Sequence, residues 1–269
     1  FLRSHGFLRP CKNPIGHALE PIGMDEILIL GARLVNESSI EEQDVLVDKF
    51  GRISKIGKDL SAQPAKEIID AEGLFLLPGL IDDQVHFREP GLTQKGTIER
   101  ESRAAAAGGV TTYMEMPNVN PPTTTIERLR EKLSIAAKDS AVNYSFYLGG
   151  SNANLEEIKQ APADEIAGVK VFMGSSTGDM LVDDEKVLEQ IFRYSPTPIA
   201  THCEDTPTIL RNENAFRERH GEEVCFSAHP QIRSREACLQ SSSLAVELAK
   251  RHDARLQVLH ITTAEELEL

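Results

Sequence analysis

No stretch of this 269-residue sequence approaches the eighteen or so consecutive apolar residues that a membrane-spanning helix needs, so a spanning segment is not expected. Clusters of lysine and arginine are missing too. Acidic residues outnumber basic ones by 42 to 29, for a net charge of −13. Because binding to a phosphate backbone depends on dense positive charge, nucleic acid is excluded as a partner. The four cysteines, Cys11, Cys203, Cys225 and Cys238, form no Cys-x-x-Cys pair and no short disulfide framework. Free thiols in a reducing compartment, the cytoplasm, are the expectation. The first 23 residues lack a long apolar run followed by a small-residue cleavage site, so a secretory signal is not expected there.

What is present is 40% hydrophobic sequence, enough to bury the core of one large domain, or of a large one with a small one beside it. Residues 1–23 read as an extension outside the fold, with the first strand beginning at Met24. Residues 24–79 give short β-type runs broken by turn signals, "ILILGARLV", "DVLVDKFGRISKIG" and "EIIDAEGLFLLPG", which predict a small β-module. From residue 80 to 269 apolar strands alternate with longer amphipathic segments, the signature of βα units on a parallel sheet. The expected strands are 80–86, 109–116, 142–149, 168–173, 198–203 and 255–261. Helices are expected at 97–107, 125–139, 183–194, 206–220 and 233–252, with "PPTTT" at 121–125 as a turn leading into the second. This alternation fits either an α/β barrel or a doubly wound sheet.

The residues with chemical capacity fall within these strands or at their C-terminal ends. His86 ends the first, Asn118 follows the second, Lys170 sits in the fourth, His202 ends the fifth and His260 the sixth. In a (β/α)₈ barrel those ends converge on one mouth, where such enzymes build their sites. A single histidine at a strand end is more often a hydrogen-bonded structural residue than a ligand; three histidines and a lysine together reverse those odds. Lys170 is the sharpest case, since it lies between apolar residues in "AGVKVFMG" on a strand covered on both faces. An unpaired ammonium there costs several kcal/mol or loses its proton. Cys203, next to His202, faces away from the mouth because a strand alternates its faces. His220, His229 and His252 have no partners at ligand spacing, and "SSTG" at 175–178 reads equally as a pocket loop or a turn.

Five motifs in order, "PGLIDDQVHFREPG", "MPNVNPPTTT", "GVKVFMGSSTG", "THCED" and "LHITT", resemble the dihydroorotases of the amidohydrolase superfamily. The resemblance spans roughly residues 27–269 and decides between the two α/β architectures in favour of a TIM (β/α)₈-type barrel, of which about six strands are recognisable. It implies a zinc enzyme of pyrimidine biosynthesis that interconverts L-dihydroorotate and N-carbamoyl-L-aspartate. It also implies Zn²⁺, one or two ions, held by His86, Lys170, His202 and His260, with Lys170 carboxylated on its amine to form an anionic bridge. Arg88 and Asn118 match the residues that hold the substrate's carboxylate.

Two features depart from the family pattern. The opening strand reads Asp-x-Gln-x-His, so Gln84 stands where the first histidine is expected. An amide oxygen is a far weaker zinc ligand than imidazole, and the first metal position is expected to lose affinity unless Gln84 orients the nucleophilic water instead. The family's proton-shuttling aspartate belongs to strand eight, and only six strands are recognised, so the proton shuttle is unknown here. On these grounds the 269-residue chain alone is expected to be inactive and poorly soluble. Two other readings are an allantoinase- or hydantoinase-like cyclic amidase and a metal-free, amidohydrolase-like scaffold. The oligomeric state, including a homodimer, is not readable from sequence.

Overall fold

The computed structural model describes residues 27–174 and 180–269. The expected extension at 1–23, the strand start at Met24 and the "SSTG" segment lie outside the described residues. The described chain divides into two compact units between Gly79 and Leu80.

The first unit is a five-stranded sheet of β1 (Ile27–Asn36), β2 (Ser39–Val47), β3 (Ile53–Gly57), β4 (Glu67–Asp70) and β5 (Phe75–Leu76). The order is β3-β2-β1-β4, with β5 also pairing with β1. β1 and β2 are antiparallel and join through Glu37 and Ser38, both at positive φ, 41° and 71°. A two-residue loop with that geometry matches the right-handed twist of the strands it connects. Leu28, Leu46 and Leu60 form the core of this sheet.

The second unit holds six strands: β6 (Leu80–Val85), β7 (Val110–Glu115), β8 (Asn143–Gly149), β9 (Gly168–Phe172), β10 (Ile199–His202) and β11 (Leu256–Val258). All neighbours pair in parallel and in strict chain order. A doubly wound sheet reverses its order at a switch point, and this one does not. Instead the sheet curls, so that Gln257 in the last strand donates a hydrogen bond to the carboxylate of Asp83 in the first. The result is the larger part of a (β/α) barrel wall, as the motifs implied.

Seven helices connect or flank the strands: α1 (Ile98–Ala107), α2 (Ile126–Asp139), α3 (Leu155–Lys159), α4 (Glu185–Tyr194), α5 (Thr206–His220), α6 (His229–Ile232) and α7 (Arg235–His252). Their starts are written in the sequence: the side chains of Thr97, Thr125, Asp184, Asp205 and Ser234 each accept a backbone N–H of the first turn. α3 was not expected, because a helix of five residues is too short to show an apolar period. The last expected helix, 233–252, is shorter at its start, where Ser234 caps it and the brief α6 precedes it.

Strand alternation separates two cores. Phe87, Tyr113, Phe146, Val169, Val171 and Ile199 face outward into the helix layer. Met116, Tyr147, Ala200 and Leu259 face the other way and fill the concave side of the sheet. Lys170 and His202 alternate with the outward-facing residues of β9 and β10, so they too belong to the concave side. Cys203 packs in the outer core, its thiol 3.2 Å from the Thr201 hydroxyl, facing away as expected.

Candidate metal and substrate site

The expected strands all run slightly past the paired ones, and the difference carries function. β6 ends at Val85, β7 at Glu115 and β11 at Val258, so His86, Asn118 and His260 sit in the loops just beyond. His260 has φ 37° and Arg88 φ 76°, the left-handed region that non-glycine residues avoid. Each such residue costs about 1–3 kcal/mol, and the surrounding contacts must hold it there.

The loop after β6 is held against the loop after β7. His86 Nδ1 lies 2.8 Å from Asn118 Oδ1, and Arg88 Nη1 donates to the Asn118 carbonyl at 3.0 Å. The Arg88 backbone N–H donates to Glu115 Oε1 at 3.0 Å, and Asn120 N–H to the Pro90 carbonyl at 3.1 Å. Gly91 lies where the two loops touch, at φ 78°, and a β-carbon there would come within 1.7 Å of the Asn120 carbonyl oxygen. Only glycine fits this place. Gly91→Ala is expected to lower stability by about 2–3 kcal/mol, read as a lower Tm in thermal unfolding.

On the other side of the mouth, His202 Nδ1 lies 3.1 Å from His260 Nε2. His202 Nε2 contacts Glu204 Oε2 at 2.7 Å, and Arg233 Nη1 donates to the same oxygen at 2.8 Å. These partners assign the tautomers. A carboxylate at Nε2 of His202 takes the ring proton, leaving the Nδ1 lone pair turned towards His260. His260 presents Nε2 to His202 Nδ1. The bond to the Asn118 oxygen puts the His86 proton on Nδ1 and its lone pair on Nε2. His86 and His202 thus each have one nitrogen engaged as a donor and the other available as a ligand, the arrangement typical of metal-binding histidines.

Lys170 is 1% exposed, and its Nζ lies 4.3 Å from the centre of the Phe172 ring. Among the described residues its Nζ has a hydrogen bond to the Val171 carbonyl, at a long 3.4 Å. Burial without a carboxylate partner lowers its pKa from 10.5 to about 7. His86 is pushed below 6.5 chiefly by the protein enclosing its ring, against the Asn118 hydrogen bond, with the charges of Arg88, Lys170 and His260 adding to the fall. His260 is lowered in the same way by enclosure, then by His202 and Lys170. All three groups are thereby shifted towards the neutral state that ligation or carboxylation requires.

The donor set fits a cation. His202 Nδ1 and His260 Nε2 lie 3.1 Å apart, and zinc–nitrogen bonds of about 2.0–2.1 Å place tetrahedral ligands about 3.3 Å apart. Among the described residues no three His, Cys, Asp or Glu side chains form a metal-binding group, so a third donor from these residues would be of another type. Lys170 qualifies only once it becomes an anion.

The structure therefore brings His86, Arg88 and Asn118 together at one part of the mouth and His202 and His260 at another, with Lys170 on the concave wall beneath. Gln84 is half-buried in β6, two residues before His86, and its N–H donates to Asp82 Oδ1 at 3.0 Å. Asn118, expected on the substrate, has its side-chain oxygen 2.8 Å from His86 Nδ1. Sequence reasoning missed Glu204 and Arg233, which with His202, Cys238, His260 and Thr262 line a cavity of about 250 Å³. Glu204 had a signal, a carboxylate two residues past a strand-end histidine; Arg233 comes from a distant loop and had none.

The amidohydrolase family model matches residues 75–266. The chain is 33% identical over 245 residues to a dihydroorotase of Methanosarcina acetivorans, covering 90% of this chain and 51% of that protein. It is 31% identical over 251 residues to an allantoinase of Desulfitobacterium hafniense, covering 91% and 55%. Among solved structures, an L-hydantoinase (dihydropyrimidinase) from Arthrobacter aurescens superposes with a TM-score of 0.85 at 31% identity, over 91% of this chain and 55% of that one. The chain spans about half the length of the relatives it matches. With the family model covering residues 75–266 and six parallel strands presenting the motif side chains at one mouth, the chain belongs to the amidohydrolase family.

Proposed function

We propose that the protein carrying this chain is a metal-dependent cyclic-amide hydrolase acting on L-dihydroorotate and N-carbamoyl-L-aspartate. The observation that carries the reading is the approach of His202 Nδ1 to His260 Nε2 at 3.1 Å, with a fully buried lysine that has no carboxylate partner among the described residues on the same concave face. His86, His202, His260 and Lys170 would hold the metal, Zn²⁺ by the preference of imidazole and carbamate donors. When bound, Zn²⁺ supplies Lewis acidity to the ring carbonyl and makes water a stronger acid.

The chain's own residues supply the rest. The neutral Lys170 amine attacks carbon dioxide, forming an N–C bond and releasing one proton to give a carbamate; its buried position makes the neutral amine available near pH 7. Asn118 and Glu204 fix the rings of His86 and His202 by hydrogen bonds to their outer nitrogens. Arg88 presents a guanidinium beside His86 for the carboxylate that dihydroorotate carries and hydantoin lacks. The named relatives include dihydroorotases, allantoinases and hydantoinases, and the likeness to the L-hydantoinase structure favours the second reading, a hydantoinase-type amidase.

A substrate panel of dihydroorotate, hydantoin and allantoin separates them, measured with metal content on a polypeptide long enough to complete eight strands. One or two zinc ions per chain and preferred turnover of dihydroorotate are expected. Arg88→Ala should raise KM for dihydroorotate by about 10–100-fold, as expected for losing a charge-assisted carboxylate contact. Absence of metal together with no turnover of any of the three sinks the reading and leaves the scaffold alternative.

A further inference from the structure

Beneath the loop after β6, on the outer face of the sheet, two charged side chains are wholly buried. Lys132 from α2 and Glu115 from β7 are both 0% exposed, with Nζ and Oε2 2.7 Å apart. Lys132 also donates to the Met116 carbonyl at 3.1 Å and stands over the Phe146 ring at 4.9 Å. Neither residue reaches the concave side, where the chemistry lies. Burial pushes the carboxyl up and the ammonium down, and each holds the other back towards its charged state. A pair of well-packed apolar residues would fill this space without the cost of desolvating two charges.

The pair does something that apolar residues cannot do. Glu115 accepts the backbone N–H of Arg88 at 3.0 Å and is also hydrogen-bonded by the backbone of Phe87. These are the residues directly after His86, and Arg88 is the one held at φ 76°. Charge-assisted hydrogen bonds are about twice as strong as neutral ones, so a buried carboxylate suits the task of holding a backbone turn in a disfavoured region. Once Phe87 and Arg88 are fixed, the side chain of His86 meets Asn118 Oδ1 and that of Arg88 meets the Asn118 carbonyl.

We propose that Glu115 and Lys132 are positioning residues for the site: the carboxylate, set in place by the ammonium, clamps the Phe87 and Arg88 amides and thereby aims His86 and Arg88 at the mouth of the barrel. The inference rests on the reading of His86 as a ligand and Arg88 as a substrate contact. It predicts that the clamp can be removed without removing the fold.

The test is the double variant Glu115→Leu/Lys132→Met, which replaces the ion pair with apolar side chains of similar size, in the metal-loaded protein. Hydrogen exchange at the Phe87 and Arg88 amides is read beside kcat and KM for dihydroorotate. The expected result is a folded variant in which those two amides exchange at least about tenfold faster, while α2 is unchanged, and kcat/KM falls by about 10–100-fold, the range seen when ligand-orienting groups are lost. Adding Arg88→Ala to the double variant should then cost less in KM than it does in the parent. Unchanged exchange at Phe87 and Arg88 overturns the clamp, and faster exchange with parental kinetics overturns its role in positioning. A parent that turns over none of the substrates overturns the hydrolase reading instead, and the exchange result alone then decides the clamp.

Discussion

Lys170→Met is expected to abolish turnover and, in the metal-free protein, to raise stability. Losing the lysine removes the anionic ligand proposed for the centre, so kcat should fall by about 10³-fold or more, the effect of several kcal/mol of lost transition-state stabilisation. The stability gain comes from the same burial. The amine titrates at about 7 in the folded chain against 10.5 in its ordinary state, and at 1.36 kcal/mol per pH unit that gap is about 5 kcal/mol. Between the two values the unfolded chain binds a proton that the folded chain does not, so parental stability rises with pH across this window. The penalty is complete below about pH 7 and fades towards pH 10.5. The variant's methionine carries no such penalty, and its advantage should be about 5 kcal/mol at pH 6 and close to nothing at pH 10.5. Denaturant unfolding of both metal-free proteins across that range measures it. An advantage that does not change with pH would show that Lys170 is charged and paired, and would remove the physical ground for its carboxylation.

Removing only one member of the Glu115–Lys132 pair should destabilise the fold by about 3–5 kcal/mol, because it leaves an uncompensated charge in the core. The two single variants should respond to pH in opposite senses. In Lys132→Met the carboxyl has nothing to oppose the upward push of burial. The folded chain then holds a proton that the unfolded chain releases, and stability falls as pH rises through the carboxylate range. In Glu115→Gln the ammonium has nothing to oppose the downward push. The folded chain releases a proton that the unfolded chain keeps, and stability rises with pH towards 10.5. Thermal unfolding at three or four pH values distinguishes these slopes. Similar slopes in both variants would mean that the pair is not an ion pair at neutral pH.

Much of the site was legible because strand periodicity and strand ends are local features. His86, Lys170, His202 and His260 could be placed at strand ends or within strands from alternation alone, and Lys170 stood out as a charge in an apolar run. Five helices were legible to within two residues at their starts, the second of them from the "PPTTT" turn that leads into it. The small helix α3 was not, since a single turn has no period. Glu115 and Lys132 lay in plain view, one in a strand and one in a helix, and nothing in either segment says that they meet. Their meeting depends on α2 packing against the sheet at β8, next to β7.

The sequence by itself determined the alternation of strands and helices, the helix starts, and which residue types reach the strand ends, because each follows from contacts within a few residues along the chain. Tertiary structure decided the rest. It turned six strands in chain order into a curled wall rather than a doubly wound sheet, since Asp83 and Gln257 meet only when the sheet closes on itself. It gave Asn118 to His86 and Glu204 to Arg233, pairings between loops 32 and 29 residues apart. It also buried Lys170 with no carboxylate partner among the described residues. Hydrogen-bond partners and desolvation depend on which distant segments pack together, and local sequence does not encode that packing.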